Sequence, residues 1–106
     1  GYECTGSVEQ LLKADTDAAA GECYRIVNND DIIALAEYVA AGRNTKDVTF
    51  YLKHDVDMRL NAWNGIGTSK YAFEGKLRQG RRHGQCRRYR GQDKLRGDQQ
   101  RLLYIL

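Results

Sequence analysis

The chain has 106 residues, enough for one domain, and its 42% hydrophobic and 29% charged residues are typical of a globular protein. No apolar run approaches the roughly 20 residues needed to cross a bilayer, which excludes a membrane-spanning helix. Three cysteines (Cys4, Cys23 and Cys86) cannot all pair within one chain, which argues against a disulfide-stapled miniprotein. The first residue is Gly1, with no basic-then-apolar leader, so we expect a fragment or processed segment without a signal peptide.

Charge divides the chain near Leu77. The stretch from Arg78 to Arg101 contains nine basic residues and only two acidic ones, Asp93 and Asp98. The rest of the chain is mildly acidic. We therefore divide the sequence into a lead-in over 1–23, a folded body over 24–77 and a basic segment over 78–106.

The lead-in and the first part of the body predict one helix, one strand and a second helix. A short helix is expected over Val8–Ala20, ended by Gly21, followed by a strand over Cys23–Val27. The second helix is expected over Asp30–Ala41, with Gly42 as its left-handed terminating residue. Its apolar positions recur at helical spacing and form one stripe: Ile32, Leu35, Ala36, Val39 and Ala40.

The rest of the body is expected to be mainly β. Val48–Leu52 has strand composition, and the alternation continues over Lys53–Met58 with Val56 and Met58 on one side. A turn-rich connection over Asn61–Ser69 precedes a last alternating stretch, Tyr71–Leu77.

The sequence of these elements and their order along the chain resemble the opening module of bacterial surface proteins that carry GLUG-type repeats. The resemblance covers about Tyr24–Leu77. Its pieces are Tyr24-Arg25-Ile26, Asp30-Asp31-Ile32-Ile33-Ala34-Leu35-Ala36-Glu37-Tyr38-Val39, Val48-Thr49-Phe50-Tyr51-Leu52-Lys53-His54-Asp55-Val56-Asp57-Met58, Trp63-Asn64-Gly65-Ile66-Gly67-Thr68 and Tyr71-Ala72-Phe73-Glu74-Gly75-Lys76-Leu77.

The resemblance implies an α+β fold, mainly β, in which a helix caps the first coils of a right-handed parallel β-helix, truncated here. It also implies structural roles rather than chemistry. The interior of the coils would be filled by the apolar stripe of the helix and by Phe50, Trp63, Ile66 and Phe73. Tight corners with positive φ would be formed by Gly65, Gly67 and Gly75.

The sequence departs from the resemblance after Leu77, where the expected glycine turn and apolar strands give way to Arg, Gln and Gly. We hypothesise that the reading frame of the source gene shifts near this point, which translation of its other two frames would test. The apolar residues of Arg78–Arg101 are few, so we expect this segment to be poorly packed or disordered.

No catalytic, cofactor or metal motif stands out. His54, Asp55 and Asp57 could form an acid–base group of a polysaccharide-cleaving enzyme, but Asp-x-Asp at a strand end is usually surface turn chemistry. The cysteines and histidines lack zinc-ligand spacing, and Gly65-Ile66-Gly67 is not a phosphate loop. We therefore expect a protein without enzymatic activity, cofactor or metal.

The sequence leaves several functions open. The leading interpretation is a noncatalytic capping module of an extracellular or cell-surface adhesin-like protein, whose partners are the rest of that protein and host or matrix glycans or proteins. One alternative is a small nucleic-acid-binding protein, whose contacts would be Arg81, Arg82, Arg87, Arg88 and Arg90. Another is a fragment of a carbohydrate-active β-helix enzyme.

Overall fold

The computed structural model describes residues 4–53, 56, 58, 65–80 and 86–89, which form an α+β fold with one sheet and two helices. In chain order the elements are β1 (Gly6–Ser7), α1 (Val8–Ala14), β2 (Cys23–Ile26), α2 (Asn29–Ala40), β3 (Thr49–Leu52), β4 (Lys76–Gly80) and β5 (Cys86–Tyr89).

The strands lie side by side in the sheet in the same order as along the sequence. The first four are parallel, and β5 returns antiparallel to β4. The register aligns Gly6 with Tyr24, Tyr24 with Phe50 and Phe50 with Leu77, so each parallel strand adds to the same edge. Consecutive parallel strands need a crossover connection, which α1 and α2 provide for the first two steps.

Helix α2 forms where the apolar stripe predicted it. Asn28 is its N-cap and accepts a hydrogen bond from the Asp31 N–H at 3.0 Å. The helix ends at Ala40, and Gly42 follows with φ of +83° while its N–H donates to the Val39 carbonyl. Both the helix and its glycine stop are confirmed.

Helix α1 is shorter than the sequence predicted. It ends at Ala14, because Asp15 adopts a left-handed conformation with φ of +54° and donates its N–H to the Leu12 carbonyl. The chain beyond runs without helix to β2, and Ala18 is buried under α2. Three consecutive alanines favour a helix locally, but here tertiary packing decides the conformation.

One face of the sheet carries the core. The strand residues that face inward are fully or almost fully buried, and the helices pack on each other and against β1 and β2. The ring of Phe50 lies 6.3 Å from the ring of Tyr24 and 5.7 Å from that of Phe73. The helices thus cover the start of the sheet, and the connection between β3 and β4 contributes the remaining cover.

The connection from β3 to β4 differs in part from its prediction. Strand β3 ends at Leu52, and Lys53 is described outside any strand. Val56 and Met58 are nevertheless buried, as the alternation required, and Ile66 and Phe73 join the same core. The apolar positions were predicted correctly, whereas the strand proposed to carry Val56 and Met58 is not formed at the described positions.

Both proposed sequence boundaries fall at strands. Cys23, the last residue of the lead-in, begins β2, and the boundary after Leu77 lies inside β4. The first residues of the basic segment therefore belong to the sheet, paired with Tyr51 and Leu52 of β3. Most of the remaining segment lies outside the described residues.

Candidate functional site

The first edge of the sheet combines a disulfide, a backbone hydrogen bond and a helix cap. Its edge strand β1 has only two residues. Just before it, the Thr5 N–H donates to the Cys23 carbonyl at 2.8 Å, and a disulfide joins Cys4 to Cys23 with Cα atoms 4.6 Å apart. Very short and covered edge strands are a known means of preventing one sheet from pairing with another.

A capping box continues this edge directly into α1. The Ser7 hydroxyl accepts from the Gln10 N–H at 3.2 Å, and the Gln10 side-chain oxygen accepts from the Ser7 N–H at 2.9 Å. A Cβ atom on Gly6 would lie 2.6 Å from that oxygen, so a larger residue at this position would displace the Gln10 side chain. The Gln10 side chain therefore provides the hydrogen-bond acceptor for one N–H group of the edge strand.

Tyr38 fastens α2 to the chain that follows α1. Its hydroxyl donates to the Thr16 carbonyl and accepts from the Ala18 N–H, both at 2.7 Å, and the side chain is buried. Burial is the main reason that the pKa of Tyr38 is raised above its ordinary value. One phenol thus binds two backbone groups of this stretch, of which the Ala18 N–H is buried and needs a partner.

The same stretch is held on its outer side by charged and polar side chains. Arg43, just after α2, contacts the carboxylates of Asp15 at 2.7 Å and Asp17 at 3.7 Å. The Asn44 side chain donates to the Ala18 carbonyl at 3.2 Å. Because both carboxylates are exposed, the value of these ion pairs lies in fixing the loop rather than in large stabilisation.

Glu22 and Tyr24 form a second local network at the start of β2. The Glu22 carboxylate accepts from the Ala19 N–H at 2.7 Å and from the Tyr24 hydroxyl at 2.9 Å. The backbone hydrogen bond, followed by that of the tyrosine, lowers the pKa of Glu22. Burial, assisted by Glu22, raises the pKa of Tyr24 to about 12.

The residues assigned structural roles lie mostly in the core. Those with almost no exposed surface are Ile32, Leu35, Val39, Phe50, Ile66 and Phe73. Gly65 and Gly67 have positive φ, as predicted. Gly75 does not. It is needed for space instead, because a Cβ there would lie 2.9 Å from the Phe73 ring and from the Val48 carbonyl oxygen.

Other candidate residues lie outside the described part of the chain, or only their backbone is described. Trp63, His54, Asp55, Asp57 and His83 are outside it, as are Arg81, Arg82 and Arg90. Arg87 and Arg88 belong to β5.

Sequence reasoning missed three features of this edge. The disulfide was hidden because counting cysteines excludes complete pairing but does not exclude a single pair. The Ser7-x-x-Gln10 spacing is a recognisable capping-box signal that was not used. The contacts of Tyr38 have no local signal, because its partners are 20 and 22 residues away in the sequence.

Among the described residues, no group of three His, Cys, Asp or Glu side chains is placed to hold a metal ion. The described helices include none with the length and apolar composition needed to span a membrane. Comparison with known protein families, curated proteins and solved structures finds no match.

Proposed function

We propose that the chain is a noncatalytic capping module that closes the first end of a right-handed β-helical protein of the cell surface or extracellular space. The observation that carries the proposal is the arrangement of the sheet. Four parallel strands are added in chain order to one edge, while the opposite edge is short, disulfide-linked and covered by a capping box. Among the described strands, the parallel order thus runs away from β1, and β5 follows it antiparallel.

The position of the helices supports a cap. Helices α1 and α2 cover the inner face at β1 and β2, whereas later strands are covered by Phe73 and other apolar residues of the chain between β3 and β4. Each turn of a solenoid buries its apolar face against its neighbours, so the first turn needs a special cover. The GLUG-type resemblance assigns that role to the segment of α2.

The disulfide supports an extracellular location. Disulfides persist in oxidising compartments and are rare in the cytosol, where thiols are kept reduced. The Cys4–Cys23 bond ties the chain preceding β1 to β2, where it stabilises the capped edge.

Sequencing the parent gene on both sides of this chain tests the proposal. We expect glycine-punctuated, apolar GLUG-like repeats downstream, in the present frame or a shifted one, together with a secretion or wall-attachment signal. A stop codon directly after Leu106 with a start codon just before Gly1, and no such repeats in any frame, would contradict it.

Opening the capped edge tests its physical role. Replacing Cys4 and Cys23 by Ser and Gln10 by Ala removes the disulfide and the acceptor of the Ser7 N–H. We expect this variant to self-associate in sedimentation velocity under reducing conditions. The matched control Glu9→Ala/Lys13→Ala, which removes an exposed ion pair on the same helix, should remain as dispersed as the original chain. A folded, edge-opened variant that sediments like the control would refute a capping role for this edge.

A further inference from the structure

The disulfide at the first edge of the sheet joins the chain before β1 to a strand inside the sheet. Cys23 lies in β2, which pairs with β1 and β3, whereas Cys4 precedes β1. We propose that the Cys4–Cys23 bond is a redox latch. Thiols of low molecular weight reduce it reversibly in the folded protein, and reduction releases residues 4–6, the latch segment, from β2 while the rest of the fold stays intact. Redox control of this edge does not depend on whether the chain caps a β-helix.

The sheet holds Cys23 in place without help from the disulfide. Thr49 of β3 is the register partner of Cys23. The Thr49 N–H donates to the carbonyl of Glu22, the residue before Cys23, at 2.9 Å. Cys23 therefore keeps its position when its sulfur is separated from Cys4.

Helix α1 lies inside the loop that the disulfide closes, and it has attachments of its own. Its side chains Val8 and Leu11 are buried in the core. After the helix, the Tyr38 hydroxyl binds the Thr16 carbonyl and the Ala18 N–H, both at 2.7 Å. None of these contacts involves the disulfide, so α1 stays packed when the bond is reduced.

The latch segment adds no apolar side chain to the core. Thr5 is exposed and Gly6 has no side chain. Hydrogen bonds join the segment to β2: the Thr5 N–H donates to the Cys23 carbonyl at 2.8 Å, and the Cys4 carbonyl accepts from the Arg25 guanidinium at 3.3 Å. Strand ends held by a few hydrogen bonds and no buried side chain open locally at low cost. The disulfide is therefore what keeps this segment closed.

The bond is also placed for exchange with a thiol. Cys4 and Cys23 are half-buried, and Cys23 alternates with the buried Tyr24 and Ile26, which puts it on the outer face of the sheet. Arg25 lies two residues further along the same face, and its guanidinium contacts the Cys4 carbonyl. A positive charge near a cysteine favours its thiolate, and a cysteine thiolate is the leaving group when this bond is attacked.

The exchange consumes two equivalents of an external thiol, RSH. A thiolate RS⁻ attacks one sulfur of the bond, forms a mixed disulfide and expels the other cysteine as a thiolate, which takes up a proton. A second thiolate attacks the sulfur that the first one contributed, forms RSSR and expels the remaining cysteine, which is protonated in turn. The protein gains two electrons and two protons, and an excess of RSSR reverses both steps.

Reduction of the native full chain by 2-mercaptoethanol, an uncharged thiol, tests the latch. Alkylation and peptide mass spectrometry measure the reduced fraction of Cys4 and Cys23 separately from Cys86, and NMR measures amide exchange. We expect complete reduction without denaturant, reversed by 2-hydroxyethyl disulfide. Exchange of the Thr5 amide should become at least about tenfold faster, with less than about a twofold change in α2 and β3. Cys4→Ser/Cys23→Ser should show the same fast Thr5 exchange without any reductant.

Three variants test the contribution of Arg25 to the chemistry. Arg25→Gln should slow reduction about threefold, because the leaving thiolate loses a positive neighbour, and Arg25→Lys should restore most of the rate. Lys13→Gln, on α1, is the matched loss of one exposed positive charge and should be reduced as fast as the original chain. Near-identical thermal unfolding of the oxidised variants makes the comparison valid. Equal rates for Arg25→Gln and Lys13→Gln would overturn the role of Arg25.

Two results would overturn the latch itself. Reduction that proceeds only in urea would identify a permanent structural bond. Reduction that leaves Thr5 exchange unchanged, or accelerates exchange throughout α2 and β3, would show that the bond does not control the edge alone. These results are separate from the parent-gene test, which decides the capping function.

Discussion

A substitution at Leu35 tests how much one buried side chain contributes to the stability of the core. Leu35 lies on the buried stripe of α2 with no exposed surface. Leu35→Ala should lower the free energy of unfolding by about 2–5 kcal/mol, because it removes buried methyl groups and leaves a cavity. Ile33, half-buried on the same helix, is the matched comparison, and Ile33→Ala should cost clearly less. Urea unfolding of the two variants measures both values. A loss below about 0.5 kcal/mol for Leu35→Ala would place this side chain at the surface.

Tyr24 provides a residue-scale prediction for pH. Its pKa of about 12 lies above the ordinary value of 10, chiefly because its ring is buried and also because its hydroxyl donates to Glu22. The folded state therefore holds this proton more tightly than the unfolded state. The resulting stability is fully present below pH 10 and is lost as pH rises toward 12.

Phenolate absorbance measures this titration directly. Comparing the chain with its Tyr24→Phe variant isolates the contribution of Tyr24, which should ionise late in the folded protein and near pH 10 in denaturant. A contribution that appears near pH 10 in the folded chain would show that Tyr24 is exposed to water.

At the scale of elements, the start of α2 depends on a reciprocal pair of side chains. Asn28 accepts from the Asp31 N–H, and the buried Asp31 carboxylate accepts from the Val27 N–H at 2.8 Å. Asn28→Ala should destabilise the protein by about 1 kcal/mol, because an N-terminal N–H of the helix loses its partner. Glu37→Ala, exposed on the same helix, should change stability by less than about 0.5 kcal/mol. Thermal unfolding compares them, and equal effects would show that the cap contributes nothing.

The disulfide predicts that the three cysteines differ in their reactivity toward a thiol reagent. Cys4 and Cys23 are paired, whereas Cys86 belongs to β5 outside this pair. A thiol reagent added to the native, unreduced chain should therefore modify Cys86 and leave Cys4 and Cys23 unlabelled until a reductant is added. Peptide mass spectrometry identifies the labelled positions. Rapid labelling of Cys4 or Cys23 before reduction would contradict the bond.

Elements with a strong local pattern could be predicted from the sequence, and those fixed by distant contacts could not. The stripe of α2 and the β-branched and aromatic residues of β3 specify their own structure. In contrast, α1 ends six residues before the predicted Ala20, where Tyr38 holds the chain at Thr16 and Ala18. Capping residues such as Ser7 and Gln10 had a local signal, but the pairing of Cys4 with Cys23 depends on the sheet register.

For the whole molecule, the parallel order of the sheet sets where stability is concentrated. Strands β2 and β3 have a partner on each side, and their inward residues Tyr24, Ile26, Phe50 and Leu52 are buried. Strand β4 is also central, although the proposed sequence boundary cuts it after Leu77. Strand β5 has one strand partner among the described residues.

Hydrogen exchange should follow this order. We expect the slowest exchange for amides of β2 and β3, intermediate rates for β4, and the fastest for β5, because opening an outer strand disrupts fewer contacts. Ending the chain at Leu77 rather than Gly80 removes the β4 residues paired with Tyr51 and Leu52. The shorter chain should therefore be less stable by about 1–3 kcal/mol, the net value of a few hydrogen bonds. Equal stability of the two truncations in urea, with unchanged exchange in β3, would show that the sheet ends at Leu77 and that the basic segment contributes nothing to the fold.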